Sequence, residues 1–299
     1  ARSLSEQTEF GDMFLLQITR GCPYKCRFCH TGYTQSPLRH LSFETAARLI
    51  ERGLKFRQKI GLVSPAVADY PDFERLCDFI LARGAGVTVS SLRISACSRD
   101  GLLERLARAG QRTITLAPEA GTARLRKILR KNLPNEMLYA TIERIRQTGI
   151  PNVKLYFLIG VPTETEADIE GMIEVCGRCR DILAQDAKRR GKSGTLTVSV
   201  NPFVPKPFTP LQWCGMATEK ALKQKLQQLS RALGRLGNAQ LIAETPKWAI
   251  WQGILARGDR RLGEVLLRAN AFRGDWKKAF RDAALTPEWY VHRERGAEE

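Results

Sequence analysis

The stretch Gly21-Cys22-Pro23-Tyr24-Lys25-Cys26-Arg27-Phe28-Cys29-His30 puts three of the chain's eight cysteines within eight residues, spaced Cys-x3-Cys-x2-Cys. Thiolates this close repel one another unless a metal or cluster takes up their charge, so the spacing points to iron–sulfur or zinc ligation. An apolar run at residues 13–18 leads straight into the loop. Four readings compete. Structural zinc needs four ligands, and here the fourth would be His30 or His40, or a second knuckle from Cys176 and Cys179. Covalent haem matches the string Cys26-Arg27-Phe28-Cys29-His30 but leaves Cys22 without a role and belongs to exported proteins. Plain buried thiols suit a loop bearing Lys25 and Arg27 poorly. A cubane cluster on three thiolates needs no fourth protein ligand and leaves one iron open, which makes it the favoured reading.

The composition narrows the setting. At 299 residues, with 43% hydrophobic and 26% charged side chains, the chain is long enough for one large α/β domain or two smaller ones. No apolar run approaches the roughly 18–20 residues needed to cross a bilayer, and the N-terminus lacks a signal-peptide core. A cytoplasmic setting without membrane association is therefore expected. Eight scattered and clustered cysteines are too few for a disulfide scaffold of this size. The chain opens on Ala1 rather than Met, as a piece of a longer protein would. The net charge of +17 favours an anionic partner, nucleic acid included. That charge is spread along the chain, and its densest run, residues 124–131, carries Leu125, Ile128 and Leu129 at helical spacing, as the solvated face of an amphipathic helix does.

Short apolar runs at residues 13–19, 60–64, 87–91, 113–117, 153–159 and 195–200 read as strands. Between them, residues 43–53, 71–84, 100–110, 121–131 with 136–149, and 166–187 show helical periodicity, and four of these stretches end on Gly53, Gly84, Gly110 and Gly149. Repeated units of this kind imply parallel strands with right-handed crossovers. Six units predict an α/β fold, a partial (β/α)6 barrel, followed by a helical C-terminal extension. The expected division is a lead at residues 1–7, a core domain at 8–243 and the extension at 244–299. A helix is expected at 218–236, a short strand at 240–243, and helical stretches at 248–272 broken near Gly258. Ligands of parallel α/β folds gather at the C-terminal ends of the strands. There lie the cysteine loop, residues 64–70, residues 118–121, residues 160–164 and the proline-rich segment 201–210. Its four prolines at 202, 205, 207 and 210 predict an extended loop over the barrel mouth.

The Cys22-x3-Cys26-x2-Cys29 spacing after a first strand, with Phe28 before the last cysteine, resembles the signature of the radical S-adenosylmethionine superfamily. Further strings are similar to a subgroup that usually carries a cobalamin-binding domain upstream. They are Glu9-Phe10-Gly11-Asp12, Thr19-Arg20-Gly21-Cys22, residues 116–121, 154–160, 202–207 and 257–264. The resemblance implies that Cys22, Cys26 and Cys29 hold a [4Fe–4S] cluster whose open iron chelates S-adenosylmethionine. The reduced cluster would cleave that cofactor to a 5′-deoxyadenosyl radical, which abstracts hydrogen from an unidentified substrate. It also implies a flavodoxin- or ferredoxin-like electron donor and, for the subgroup, radical methylation with cobalamin bound by a domain outside this chain.

The same resemblance suggests cofactor contacts. Phe28 would pack beside the adenine, against the simpler reading of loop packing. Ser64-Pro65-Ala66 departs from the Gly-Gly-Glu form common at the second strand, leaving Ser64 and the backbone as candidates for the amino group. Glu119 ends the fourth run, where it would meet the ribose or methionine end or serve as a helix charge partner. Arg124 would meet the cofactor carboxylate or face solvent. Gly160 and Pro162 would let the backbone approach the adenine. No catalytic residue is assigned.

The remaining candidates read as structural. Cys176 and Cys179 share a helix face, but two ligands seldom make a metal site. Cys77, Cys97 and Cys214 are isolated, His30 and His40 are structural or substrate-facing, and Trp213, Trp248 and Trp251 are core aromatics more often than substrate contacts. Two alternatives stay open. One is a methylthiotransferase-like tRNA-modifying radical enzyme, although no second cysteine triad is present. The other, of a different class, is a zinc-stabilised nucleic-acid-binding module whose affinity would fall steeply with salt.

Overall fold

The structure, a computed structural model, describes residues 7–8, 10–185 and 194–296. Most of the expected N-terminal lead, Glu9 of the first subgroup string and the end of the helix expected at 166–187 lie outside the described residues. The first half of the barrel comprises β1 (Phe14–Gln17), β4 (Lys59–Val63) and β5 (Gly86–Val89), paired in parallel in that order. The second half runs β6 (Thr113–Glu119), β7 (Asn152–Ile159), β8 (Leu196–Pro202) and β9 (Ala239–Ala243), again all parallel. A parallel bridge between Leu92 and Leu116, with the Leu92 amide donating to the Thr115 carbonyl at 2.9 Å, joins the halves. Each strand is laid beside its predecessor, which is how right-handed crossovers curl an open sheet toward a barrel.

The six predicted strands are thus present, and the short strand expected at 240–243 joins them as a seventh, paired along its whole length with β8. One small element escaped the sequence reading. β2 (Thr19–Arg20) and β3 (Arg39–His40) form a two-residue antiparallel ribbon that brackets the cysteine loop.

The crossover helices follow from their patterns. In the helix Phe43–Leu54, Ala46, Ala47, Ile50 and Gly53 turn inward, and the Ser42 hydroxyl accepts from the Thr45 amide at the N-terminus. In β7 every second side chain is buried, namely Val153, Leu155, Phe157 and Ile159. These strands and helices close over one main core running from Leu16 to Leu233. The helix after β7, Glu166–Ala184, starts with a reciprocal capping box between Thr165 and Asp168. Cys176 and Cys179 on that helix are fully buried in the main core.

Beyond β9 the chain is helical. Helices Pro246–Arg257, Leu262–Ala271, Trp276–Asp282 and Pro287–Val291 surround a separate small core that also takes in Val204 and Met216. The break near Gly258 appears as expected, while the last two helices are too short to show periodicity in the sequence. Among the described residues no helix is long and apolar enough to cross a membrane.

Candidate functional site

The cysteine loop is built by two unusual backbone turns and by the helix after β6. Gly21 has φ +87°, and a Cβ there would lie 2.0 Å from the Gln35 carbonyl oxygen, so only glycine lets the two ends of the loop close. Lys25, at φ 46°, makes the second reversal, and its carbonyl accepts from the Tyr33 hydroxyl at 2.8 Å. The Cys29 amide donates to the Cys26 carbonyl at 3.0 Å. The loop is docked by the Arg27 amide on the Leu129 carbonyl at 3.1 Å and by the Arg27 guanidinium on the Ile128 carbonyl at 3.0 Å. Phe28 packs against a cluster of Ala120, Leu125, Leu129, Val161 and Phe203, which fixes the loop over the C-terminal ends of the strands.

Cys22, Cys26 and Cys29 are free thiols that line one cavity of about 460 Å³. The loops after the first four strands form its wall, including Phe28, Pro65 to Asp69, Arg93, Glu119 and Lys131. Burial pushes the Cys22 and Cys26 thiols above their ordinary range. At Cys26 the Lys131 ammonium opposes the shift, and at Cys22 the neighbouring Cys29 adds to it. Loading a metal centre therefore displaces protons from these thiols.

Two polar pairs stand in the wall. The Tyr24 hydroxyl donates to Asp69 Oδ1 at 2.7 Å, and burial, followed by this bond, pushes the phenol up to about 12. The other oxygen of Asp69, Oδ2, is buried with no partner. In the same wall, Glu119 ends β6 with φ +70°, after a register shift between Leu116 and Glu119. A left-handed backbone at a non-glycine residue is costly and clusters at functional sites. Lys131 Nζ holds it there, 2.8 Å from Glu119 Oε1 and 2.6 Å from the Ala117 carbonyl oxygen.

The other expected residues fall elsewhere. The Ser64 hydroxyl bonds the Thr19 hydroxyl and accepts from the Ala66 amide at 3.0 Å, so it braces the loop whose later residues reach the cavity. Arg124 pairs with the buried Asp168 and donates to the Thr163 carbonyl at 2.9 Å, outside the cavity wall. Gly160 and Pro162 line a neighbouring cavity of about 340 Å³ together with Glu164, Lys225 and His292. His30 is exposed, with its ring 6.3 Å from that of Phe208 in the proline-rich loop. Cys77 and Cys97 are core residues. Cys214 packs against the Phe28 cluster. Trp251 stacks on Trp276 and Phe280 in the C-terminal core, while Trp213 and Trp248 are exposed.

Tyr24, Asp69, Arg93 and Lys131 were not singled out from the sequence. For Arg93 the signal was present, because it lies just beyond the third strand, where the barrel rule puts ligand contacts.

Among the described residues no group of three or more His, Cys, Asp or Glu side chains converges on a single metal ion. The three thiols instead share a roomy cavity, and among the described residues no fourth Cys, His, Asp or Glu joins them in a metal-sized group. That donor set fits a multi-iron cluster with an open corner and does not fit tetrahedral structural zinc. Cys176 and Cys179, enclosed in the main core, supply no second knuckle.

Comparison with known proteins bears on the same region. The family model of the Radical SAM superfamily matches residues 16–176. An uncharacterized protein of Methanocaldococcus jannaschii is 34% identical over 264 residues, covering 88% of this chain and 56% of that protein. A tRNA-2-methylthio-N(6)-dimethylallyladenosine synthase of Cereibacter sphaeroides is 25% identical over 248 residues, covering 76% of this chain and 54% of the synthase. The chain therefore spans about half the length of the curated relatives it matches. Among solved structures, the cobalamin-dependent S-adenosylmethionine radical enzyme OxsB, with aqua-cobalamin and S-adenosylmethionine bound, shares the fold. Its TM-score is 0.52, with 13% identity, covering 90% of this chain and 44% of OxsB.

Proposed function

This chain belongs to the radical S-adenosylmethionine superfamily, and we propose that its cysteine-lined cavity binds a [4Fe–4S] cluster and S-adenosylmethionine to start radical chemistry on a substrate. The observation that carries the reading is the placement of three free thiols in one cavity at the strand ends. When bound and reduced, the cluster supplies the electron that breaks the cofactor's sulfonium bond. The chain's own residues hold and orient. Cys22, Cys26 and Cys29 ligate, and Phe28 offers an aromatic wall for the adenine. Glu119, fixed by Lys131, offers a carboxylate to the ribose or methionine end. Asp69, with its unpartnered oxygen, supplies the acceptor that Ser64-Pro65-Ala66 lacks, and Ser64 shapes the loop that carries it. Gly160 and Pro162 line the neighbouring cavity, and their loop meets the Phe28 wall through Val161, which packs in the same cluster. Arg124 acts there through Thr163 and Asp168 by positioning that loop.

Radical methylation with cobalamin, carried by a domain outside this chain, is the subtype we favour. Its support is the set of subgroup strings, and the curated relatives are long enough to hold a further domain beside the matched region. A second reading, modification of tRNA, is supported by the methylthio synthase relative and the +17 charge. Either reaction draws electrons from an external flavodoxin- or ferredoxin-like donor, in the cytoplasm.

The test is anaerobic reconstitution with iron and sulfide, reduction, addition of S-adenosylmethionine and detection of 5′-deoxyadenosine. About four irons per chain, lost on joint substitution of Cys22, Cys26 and Cys29 by Ala, are expected. Stoichiometric zinc without iron uptake or cofactor cleavage would overturn the reading. Binding of cobalamin or of tRNA by the full-length protein separates the two subtypes.

A further inference from the structure

The basic run at residues 124–131 and the exposed Phe208 meet on the outer side of the cysteine loop. Arg27 bonds the Leu129 carbonyl with its amide and the Ile128 carbonyl with its guanidinium, which sets Lys25 and Arg27 beside Lys127. From the other side, the Phe208 ring stands 6.3 Å from that of His30, the residue directly after Cys29. Residues 13–43, 120–135 and 201–218 meet in the Phe28 cluster, and none of the three segments contains an Asp or a Glu. Arg124 and Lys131 find carboxylates just outside them, at Asp168 and Glu119. Lys25, Arg27 and Lys127 are exposed and, among the described residues, have no ion pair. Uncompensated positive charge therefore covers the loop.

Phe208 gives this charged face an apolar anchor. It is 70% exposed and held at φ 62°, a left-handed backbone that is costly for an aromatic residue. The turn is built, not loose. The Phe208 amide donates to Gln212 Oε1 at 2.9 Å, and the buried Thr209 hydroxyl donates to the Lys206 carbonyl at 2.7 Å. An aromatic side chain held out to solvent beside unpaired cations has the make-up of a protein contact, with an apolar centre and a charged rim.

Face and cavity stand back to back. Tyr24, Cys26 and Phe28 line the cavity, whereas Lys25, Arg27, His30, Lys127 and Phe208 do not. Cys26 is buried between the exposed Lys25 and Arg27, so a single loop separates the face from the thiols. A substrate inside the cavity touches none of the face's side chains. A partner seated on the face meets no substrate but stands next to the thiols. What it can deliver there is an electron.

We propose that Lys25, Arg27 and Lys127, set around Phe208, dock the protein that reduces the cluster, a one-electron carrier with an acidic surface. The inference rests on the reading of the cavity as a cluster site. One electron leaves the reduced carrier and enters the oxidised cluster, with no bond made or broken. Redox encounters use small interfaces, and charge steering sets their rate.

The experiment uses the reconstituted holoprotein with a purified bacterial flavodoxin as the acidic carrier. Photoreduced deazaflavin, a small uncharged reductant, serves as the reference. Stopped-flow bleaching of the cluster gives the reduction rate with each, and isothermal titration gives the affinity for oxidised flavodoxin. The proteins are the wild type, Lys25→Glu/Lys127→Glu, Phe208→Ser and Arg231→Glu, which reverses a charge at an exposed position on the helix Glu219–Gly234. The flavodoxin rate relative to the deazaflavin rate should fall about tenfold or more in the double variant at low ionic strength. The affinity should fall with it. Added salt should slow the wild type and leave the double variant nearly unaffected. Phe208→Ser should bind several-fold more weakly with its salt dependence kept, and Arg231→Glu should match the wild type. Damage to the cysteine loop lowers both rates together, so the ratio isolates docking. Unchanged ratios and affinities in the double variant and in Phe208→Ser, or an equal loss in Arg231→Glu, overturn the proposal. So does a face whose substitutions weaken binding of bulk tRNA but leave flavodoxin unaffected. If the double variant fails to fold by circular dichroism, wild-type affinity in Phe208→Ser overturns the proposal instead. A protein that assembles no cluster refutes the reading of the cavity. One that deazaflavin reduces normally, with flavodoxin rates indifferent to these residues, refutes the docking face alone.

Discussion

Lys131 Nζ lies 2.8 Å from Glu119 Oε1 while the Glu119 backbone is held at φ +70°. The pair links the end of the fourth barrel strand to the turn after the basic helix, and both side chains are largely buried. Replacing Lys131 by Met removes the partner of that carboxylate and also leaves the Ala117 carbonyl unpaired. A loss of about 1–3 kcal/mol is expected, read from the midpoint of urea unfolding. At Glu119 the backbone adds a second signature. Glu119→Gly should be more stable than Glu119→Ala by about 1 kcal/mol, because alanine resists the left-handed conformation and glycine does not. Equal stability of the two variants would show that the strand end relaxes once the carboxylate is gone.

Asp168 makes a different kind of prediction. Its burial alone would raise its pKa, but hydrogen bonds from the Thr122 hydroxyl, the Thr165 amide and hydroxyl, and Arg124 together hold it below the ordinary carboxylate value. Since the folded carboxyl binds its proton at lower pH than the unfolded one, this stabilisation is complete above about pH 4 and drains away as pH falls through the folded value. Asp168→Asn is expected to cost about 2–4 kcal/mol at neutral pH, with the gap from wild type narrowing in acid. A gap that stays constant down to pH 2 in chemical unfolding would refute the assignment.

Glu164 has the opposite sign. Its carboxylate donates no bond; it accepts from the Gly160 amide at 2.8 Å and from Lys225 at 2.6 Å, but Oε1 is buried with no partner. Burial, the largest influence, outweighs those two bonds and raises its pKa. The folded state therefore keeps this proton at pH values where the unfolded chain has released it, and Glu164's contribution to stability falls as pH rises through that window. Glu164→Gln removes the titration, so the variant should gain on wild type between about pH 4 and the folded pKa of Glu164. Thermal melting across that range, with parallel curves for the two proteins, would count against it.

The barrel was legible because alternating apolar runs and helical stretches are dictated by burial over many residues, as in β7 and the helix Phe43–Leu54. The cysteine loop was legible because thiolate chemistry permits few arrangements at that spacing. Side-chain direction in the mouth loops was not. Ser64 and Asp69 are five residues apart in one loop, yet Ser64 turns back to Thr19 while Asp69 reaches the cavity. That outcome depends on the short 3-10 turn at Val67–Asp69, which periodicity does not reveal. Arg93 owes its place to stacking on Tyr24, a contact between residues 69 positions apart in the chain. The ribbon of Thr19–Arg20 with Arg39–His40 is too short to leave a pattern.

That ribbon leads to the last prediction. Gly21 directly follows Thr19–Arg20, and its left-handed turn brings its Cα against the Gln35 carbonyl. In Gly21→Ala the new Cβ would lie 2.0 Å from that oxygen and 2.8 Å from the Pro37 carbonyl oxygen, both on the backbone, so neither can swing aside. The φ of +87° adds a cost of about 1–2 kcal/mol for an L-residue. Relief requires the loop to open, which moves Cys22 away from Cys26 and Cys29. The main core contains no residue of residues 21–30, so the barrel itself should survive. The expected result is iron uptake falling several-fold after anaerobic reconstitution, with far-ultraviolet circular dichroism unchanged and melting only slightly earlier. Full iron uptake in Gly21→Ala would mean that the thiols do not depend on this turn for their alignment.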